Sequence, residues 1–200
     1  MKYIQCIWLC LVFACTNKEG EPVAQADSPY VINVSDSTII DTVDITDSLH
    51  KTLPPANAKI IDTKNISPDQ LLNFAQTLIG TPYVYGSANP KVGFDCSGFI
   101  TYVFNHFSIP VARSSIDFTD IGKSVSVAEA KKGDIILFTG TNPSERTVGH
   151  MGLVLSNQDS TLQFIHSTSG KQMGVTVTTL NDYYRNRFVS IKRIFPQNER

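Results

Sequence analysis

Apolar residues recur at helical spacing in SPDQLLNFAQTLIG, which covers residues 67–80. Positions three and four apart carry apolar side chains, a stripe typical of a helix with one buried face. Ser67 is a favourable N-cap, Pro68 suits the first helical position, and Gln70 completes a capping box. We predict a helix that begins after Ser67 and ends at Gly80.

A second helical pattern starts at Cys96 and continues through CSGFITYVFNHF, and Pro110 ends it. After residue 131 the spacing changes from helical to alternating. Five short segments rich in β-branched and aromatic residues follow, separated by polar turns: GDIILFT, HMGLVLS, LQFIHST, GVTVTTL and RFVSIKRIF. Helices followed by an antiparallel meander predict an α+β domain, in which the N-terminal helices pack on an antiparallel β-sheet.

The start of the chain, MKYIQCIWLCLVFAC, has the layout of a secretory signal, with one lysine, a short apolar core and a small residue before a cysteine. The VFAC segment resembles the lipobox of bacterial lipoproteins, in which the signal is cut before the cysteine and that cysteine receives lipid. We therefore interpret residues 1–14 as a signal peptide and Cys15 as a lipidation site. The alternative is a plain cleaved signal, in which Cys15 has no role.

Residues 15–60 are rich in Asp, Ser, Thr and Pro and show no sustained helical spacing. We expect a flexible acidic tether here, with a short ordered β segment as the alternative. Residues 61–200 hold the predicted folded domain. The formal net charge of −1 and the lack of a basic patch argue against nucleic-acid binding. The apolar run near the N-terminus is too short to span a bilayer as a helix.

The predicted processing leaves Cys96 as the only free thiol, because Cys6 and Cys10 leave with the signal and Cys15 receives lipid. An unpaired thiol outside the cytosol is open to oxidation, so either it has a chemical role or it is a buried apolar cysteine. At the start of a helix, unpaired N–H groups and the helix dipole favour the thiolate and can receive an oxyanion. We therefore interpret Cys96 as a candidate nucleophile.

The segment GHMGLVLSNQDSTLQFIHS supplies a candidate base if it forms a hairpin. A turn centred near Gln158 places His150 directly opposite His166, on one face of the sheet, with Cβ atoms about 4.5–5.5 Å apart. A shift of one residue would separate them onto opposite faces. The rest of that face is apolar, and we expect it to pack against the Cys96 helix. His150 is then the base and His166 the residue that orients it, whereas either histidine alone would be read as structural.

Five blocks of the sequence resemble, in content and order, the NlpC family of bacterial cell-wall cysteine endopeptidases: GTPYVYGSANPKVGFDCSGF, IPVARSS, KKGDIILF, VGHMGLVL and FIHSTS. The similarity covers residues 65–195. It implies a circularly permuted papain-like fold, with the cysteine on a helix and the histidines on the sheet. It also implies hydrolysis of peptidoglycan stem peptides, commonly at the bond between γ-D-glutamate and a diamino acid.

Matched position by position, the resemblance makes Cys96 the nucleophile, His150 the base and His166 the third member of a triad. Tyr83 matches a tyrosine that reaches the pocket of the nucleophile, whereas Tyr85 is expected in the core. Three further positions match residues that bind the substrate in several members of the family, the first two at the amino end of the stem peptide: Asp95, Ser97 and Ser115.

Arg113 is expected to brace a loop rather than to contact the substrate. The segment that follows it, IDFTDIG, lacks a glutamine that is usual in the family, and SANPK replaces a glycine-rich segment before Cys96. These two departures leave open the contacts of that loop and the shape of the cleft rim.

We therefore expect a cell-wall hydrolase that uses no metal and no cofactor, acts as a monomer, and is held in the cell envelope by a lipid anchor in the outer membrane. Its expected partners are peptidoglycan stem peptides and the membrane. Two other bonds are alternatives within the same chemistry, the D-Ala–diaminopimelate crosslink and the N-acetylmuramoyl–L-alanine amide. A non-catalytic wall-binding lipoprotein is the alternative from a different class.

Overall fold

A computed structural model describes residues 59–142 and 144–199. The predicted signal peptide, the predicted lipid site at Cys15 and almost all of the predicted tether lie outside these residues. Across the described part of the chain, no helix has both the length and the apolar character that a membrane crossing requires.

Helix α1, Pro68–Gln76, begins where the sequence predicts it. The Gln70 N–H donates to Ser67 Oγ at 3.2 Å and the Ser67 N–H donates to Gln70 Oε1 at 2.8 Å, so both bonds of the capping box form. The helix ends earlier than predicted, because the N–H groups of residues 77–79 bond to carbonyls three residues back and tighten the last turn. As a result Ile79, which the sequence places on the buried stripe, is 51% exposed.

Helix α2, Cys96–His106, starts at the predicted residue. Its N-cap is Asp95, whose carboxylate accepts a hydrogen bond from the Gly98 N–H at 2.6 Å. A third helix, α3, spans Asp182–Arg187 and is not predicted by the sequence. Its six residues, DYYRNR, contain no apolar repeat at helical spacing that would have indicated it.

The strands form a small hairpin and a large sheet. The hairpin joins β1 (Ala88–Asn89) to β2 (Gly93–Phe94). The sheet contains β3 (Lys123–Val125), β4 (Ile135–Thr139), β5 (Val148–Gln158), β6 (Thr161–Thr168), β7 (Gly174–Thr179) and β8 (Phe188–Arg193). Short 3-10 helices lie at Ser115–Phe118 and Pro196–Glu199.

The large sheet is antiparallel throughout, in the order β3-β8-β4-β5-β6-β7. The five predicted strands are β4 to β8, and β3 is an additional short edge strand. The predicted meander holds for β4 to β7 but is wrong for β8, which pairs with the free side of β4. The reason is α3, which follows β7, packs near β4 and returns the chain across the sheet. The predicted α+β class is confirmed.

Each side of the sheet has its own apolar core, because alternate residues of a strand face opposite sides. On the first side, α1 and α2 pack against β4, β5 and β6 through Leu137, Met151, Leu153 and Ile165. On the second side, Tyr184 of α3 packs against Ile136, Phe138, Val154 and Phe164. This division decides on which side of the sheet each candidate site residue lies.

A buried ion pair ties β4 to β8. Arg193 Nη2 donates to Asp134 Oδ2 at 2.9 Å and Arg193 Nε donates to Oδ1 at 3.2 Å. The two side chains are 8% and 0% exposed, respectively. The Lys131 N–H donates to the same carboxylate at 2.8 Å, so the charge is both paired and hydrogen-bonded. Asp134 therefore supports the sheet.

Candidate active site

The hairpin of β5 and β6 carries both candidate histidines, and its turn lies later than predicted. Gln158 pairs with Thr161, so the turn residues are Asp159 and Ser160. Their φ angles are +49° and +60°. Positive φ at both central positions is the mark of a type I′ turn, which matches the twist of the flanking strands.

A β-bulge at Leu155 then changes the register. Ser156 pairs with Gln163, but Val154 pairs with Phe164, so Leu155 is an extra residue on β5. With the turn alone, the residue opposite His166 would be Leu153, whose side chain lies on the α2 side of the sheet. The extra residue of the bulge shifts the pairing of β5 and β6 by one position, so the side chains of His150 and His166 again lie on the same face of the sheet.

The two histidines are therefore diagonal neighbours, and the predicted direct opposition is wrong. Leu153 pairs with Ile165, which leaves Gly152 beside His166. A Cβ atom at Gly152 would come within 2.8 Å of Phe164 Cδ2 and 3.2 Å of His166 Cβ. A glycine at this position is what lets the two strands approach closely enough for a diagonal contact between the imidazoles.

The shared face is apolar, as expected, but it packs against α3 and not against the Cys96 helix. The His150 ring lies 5.9 Å from the Phe138 ring and 6.1 Å from the Tyr184 ring, measured between centroids. The His166 ring lies 4.7 Å from Phe164 and 5.5 Å from Tyr184. The expected contact with α2 is wrong because α2 covers the other set of alternating residues.

A chain of hydrogen bonds runs through the two imidazoles. His150 Nε2 lies 2.8 Å from His166 Nδ1. His166 Nε2 lies 2.9 Å from the hydroxyl oxygen of Thr178 on β7. His166 is completely buried and His150 is 8% exposed. Both nitrogens of His166 are thus engaged, and Nδ1 is the nitrogen of His150 that lies outside this chain.

Cys96 lies close to the strand that carries His150. Its Sγ lies 4.0 Å from the carbonyl oxygen of Gly149, the residue before His150. Cys96, Gly149 and His150 line one cavity of about 760 Å³. Of the three residues predicted as a triad, Cys96 and His150 therefore share this cavity, and His166 is joined to it through its hydrogen bond with His150.

The pKa of Cys96 does not favour the thiolate that the sequence predicts. Burial raises the pKa of the Cys96 thiol, and the neighbouring Asp95 carboxylate raises it further. The N–H groups of Ser97 and Met151 lower it but do not outweigh burial. The helix dipole therefore does not make Cys96 acidic, because desolvation and the N-cap carboxylate of Asp95 oppose it.

Both imidazoles favour the neutral form. Burial lowers the pKa of His150 well below its ordinary value, and the neighbouring His166 and Arg187 lower it further. Burial, followed by the charge of Arg187, lowers the pKa of His166 to about 3. The resting site therefore combines a neutral thiol with a neutral imidazole.

Asp95, Ser97 and Arg113 form a hydrogen-bonded cluster next to Cys96. Arg113 donates to the two carboxylate oxygens of Asp95 at 3.0 and 2.7 Å and to Ser97 Oγ at 2.8 Å. Asp95 and Ser97 are 8% and 6% exposed. Arg113 thus braces the loop, as expected, and the cluster fixes the first turn of α2 that carries the thiol.

The predicted substrate-binding residues fall into two groups. Tyr83 lines the cavity beside Cys96, and burial raises the pKa of its phenol. Asp95, Ser97 and Ser115 lie outside the described lining of this cavity, and Ser115 begins a 3-10 helix. Tyr85, expected in the core, is 89% exposed and stands at the rim.

Among the lining residues that the sequence did not predict, two act on the histidines. Thr178 accepts or donates a hydrogen bond at His166, and the alternation of threonines in GVTVTT was a signal that these hydroxyls share a face. Arg187 at the end of α3 donates from Nη2 to Thr139 O at 2.7 Å and from Nε to Gly140 O at 3.1 Å. No pattern in the sequence places Arg187 near the histidines, because α3 itself was not predicted.

Within residues 59–142 and 144–199, no group of three or more His, Cys, Asp or Glu side chains is arranged to hold a metal ion.

Comparison with known proteins places this arrangement in a family context. The model of the NlpC/P60 family matches residues 80–193. The chain is 34% identical over 133 residues to the Gamma-DL-glutamyl hydrolase of Bacillus subtilis (strain 168), an alignment that covers 64% of this chain and 30% of that protein. It is 29% identical over 140 residues to the Murein DD-endopeptidase MepS/Murein LD-carboxypeptidase of Escherichia coli (strain K12), covering 69% and 66%.

A solved structure supports the fold. The crystal structure of an NlpC/P60 family protein from Bacillus cereus ATCC 10987 has a TM-score of 0.58 and 25% sequence identity, and the match covers 67% of this chain and 42% of that one. This likeness confirms the papain-like fold. The chain spans only 30% and 66% of the lengths of the two relatives named above.

Proposed function

Because the chain belongs to the NlpC/P60 family, we propose that it is a cysteine peptidase that hydrolyses amide bonds in peptidoglycan stem peptides. One observation carries the proposal: a thiol at a helix N-terminus and a hydrogen-bonded His150–His166–Thr178 chain meet at one cavity. A nucleophile, a base and a group that orients the base are the parts that acyl transfer requires.

The hydrogen-bond chain suits His150 to act as a base. For Nδ1 of His150 to accept the thiol proton, Nε2 must carry a hydrogen and donate it to His166 Nδ1. His166 then carries its own hydrogen on Nε2 and donates it to Thr178 Oγ1. Each acceptor thus selects the tautomer of the preceding ring.

The proposed reaction starts from the neutral pair. Cys96 Sγ attacks the carbonyl carbon as its proton moves to His150 Nδ1, and the imidazolium formed is stabilised by His166. Backbone N–H groups at the start of α2 stabilise the oxyanion. His150 then protonates the leaving amine, and water hydrolyses the thioester to release the acid and restore the thiol.

The remaining site residues are proposed as substrate contacts. Tyr83 is supported by its position on the cavity wall beside the thiol. Asp95 and Ser97 are tied to Arg113, so their contribution to binding the amino end of the peptide is through a preorganised cluster. Ser115 is proposed from the family resemblance, and its half-buried position two residues after Arg113 is compatible with it.

We propose the γ-D-glutamyl–diamino acid bond as the preferred bond, supported by the likeness to the Gamma-DL-glutamyl hydrolase. Cleavage of the D-Ala–diaminopimelate crosslink is a second candidate, favoured by the likeness to the Murein DD-endopeptidase MepS. The muramoyl–alanine amidase and the non-catalytic wall binder have no comparable support.

The lipobox-like VFAC segment supports a further part of the proposal, a lipid anchor at Cys15. We place the protein in the cell envelope, at the outer membrane, as a monomer whose acidic tether lets the domain reach the wall.

Digestion of purified murein with the full chain, followed by mass spectrometry, tests the proposal. We expect fragments broken after γ-D-glutamate, and we expect none with Cys96→Ser or His150→Ala. His106→Ala is the matched control, because His106 stacks on Phe74 at 3.6 Å, outside the cavity. Fragments from another bond would change the substrate assignment, and full activity of Cys96→Ser would overturn the mechanism.

A further inference from the structure

The cavity beside Cys96 and His150 has an unbalanced charge. Among the described residues that line it, none is acidic and two are cationic, Lys171 and Arg187. Neither of these two makes an ion pair with a carboxylate of the described chain. A cleft lined by one sign of charge raises the local concentration of ligands of the opposite sign.

The Arg187 guanidinium is held rigidly by neutral partners. Besides its bonds to the carbonyl oxygens of Thr139 and Gly140, its Nη1 donates to the Tyr183 hydroxyl at 2.7 Å. Its Cζ lies 5.0 Å from the centroid of the Tyr183 ring and 5.9 Å from that of Tyr184. The side chain is therefore preorganised, but its positive charge is left uncompensated.

Two of its donors are available to a ligand. A guanidinium has five N–H groups, and the three acceptors named above use one on each nitrogen. One N–H group is left on each of the two terminal nitrogens. Two N–H groups are what a carboxylate needs for a bidentate contact, the strongest type of hydrogen-bonded ion pair.

A ligand bound at Arg187 would also affect the histidines. Arg187 also lowers the pKa of both His150 and His166, so its charge is felt at the imidazoles. A carboxylate bound at Arg187 would therefore also offset a cation that opposes formation of the imidazolium.

We propose that Arg187, assisted by Lys171, forms a carboxylate-binding subsite on the histidine side of the cleft and selects peptides with a free carboxylate next to the scissile bond. This inference rests on the proposed function and specifies its substrate class. In a stem peptide the carboxylate is either the α-carboxylate of D-glutamate or a carboxylate of the diamino acid. An uncharged amide at that place removes the ion pair and leaves one N–H group of the guanidinium without its acceptor.

Calorimetric titration of the full chain carrying Cys96→Ala tests the subsite without turnover. Three peptides are compared: L-Ala–γ-D-Glu–diaminopimelate, the same peptide amidated at the D-glutamate α-carboxyl, and the same peptide amidated at the diaminopimelate carboxyls. We expect one of the two amidations to weaken binding by about 10- to 100-fold. Which one does so identifies the carboxylate.

Two arginine variants assign the effect. With Arg187→Gln added, the amidated and free peptides should bind within twofold of one another, whereas Arg187→Lys should keep part of the difference. Arg185→Gln, on the exposed part of the same helix, should leave the full difference. Since peptides are compared within one variant, a general loss of stability does not imitate the result.

The proposal is overturned if neither amidation weakens binding, if the penalty persists in Arg187→Gln, or if no peptide binds. Cleavage assays with the unsubstituted chain test the carboxylate-binding subsite separately from the proposed peptidase function. Equal cleavage of free and amidated peptides keeps the function and removes the subsite. Carboxylate-dependent binding without any cleavage keeps the subsite and removes the function.

Discussion

Replacing Thr178 with valine preserves the size of the side chain and removes the hydroxyl that lies 2.9 Å from His166 Nε2. In the active tautomer His166 donates from Nε2, so the variant leaves that N–H group without its acceptor. His166 is completely buried. The ring then gains by moving its hydrogen to Nδ1, which forces the hydrogen of His150 onto its own Nδ1. His150 in that tautomer does not accept a proton from Cys96.

The size of the expected decrease in kcat follows from the free-energy cost of an unsatisfied buried donor, which is about 1–3 kcal/mol. If the whole cost falls on the active tautomer, kcat decreases by about 5- to 150-fold, since 1.36 kcal/mol is tenfold in rate. Thr178 itself is half-buried on the cavity wall, so water replaces part of the lost bond. We therefore expect a decrease of about tenfold in kcat, with KM changed less than twofold.

The assay is steady-state hydrolysis of a stem peptide by Thr178→Val, with Thr176→Val as the matched control. Thr176 lies directly opposite His166 on the same face of β7, but its hydroxyl lies 3.5 Å from the Val177 carbonyl oxygen and not at an imidazole. Thr178→Ser should restore most of the activity. Equal losses in both valine variants, or a Thr178→Val protein with unchanged kcat, would refute the tautomer argument.

Two further outcomes follow from burial at other positions. Because burial and Asp95 raise the pKa of Cys96 above its ordinary 9.0, the thiolate forms only at high pH. The rate of alkylation by iodoacetamide, followed by mass spectrometry, should still be rising with pH at pH 9, and a plateau near pH 7 would contradict the neutral resting thiol. Asp134→Ala should lower the free energy of unfolding by about 3–5 kcal/mol in urea titrations, because it leaves the buried Arg193 charge unpaired. The exposed pair of Lys132 and Asp69 provides the control, and Asp69→Ala should cost less than about 1 kcal/mol.

Local signals in the sequence were sufficient for the starts of α1 and α2 and for the five strands β4 to β8. Ser67, Pro68 and Gln70 determine where α1 begins, because a capping box involves only neighbouring residues. The five strands were recognised from alternation and turn residues, which also act over short distances. The order of the strands was not recognised in full, since the placement of β8 beside β4 depends on α3, a short helix without an apolar repeat.

In the candidate site, too, some features could be predicted from local sequence and others could not. The thiol at a helix start and the two histidines on neighbouring strands could be predicted from the sequence, because motif and spacing are local properties. How these side chains meet depends on contacts between segments distant in the chain. The register is set by a turn at Asp159 and Ser160 together with a bulge at Leu155. Burial decides the protonation of Cys96 and His150, and it is the combined effect of many residues distant in the chain. The position of Arg187 on α3 likewise depends on distant contacts. No local pattern in the sequence encodes these contributions, so the burial of the histidines and the place of Arg187 on the cavity wall became visible only in the folded molecule.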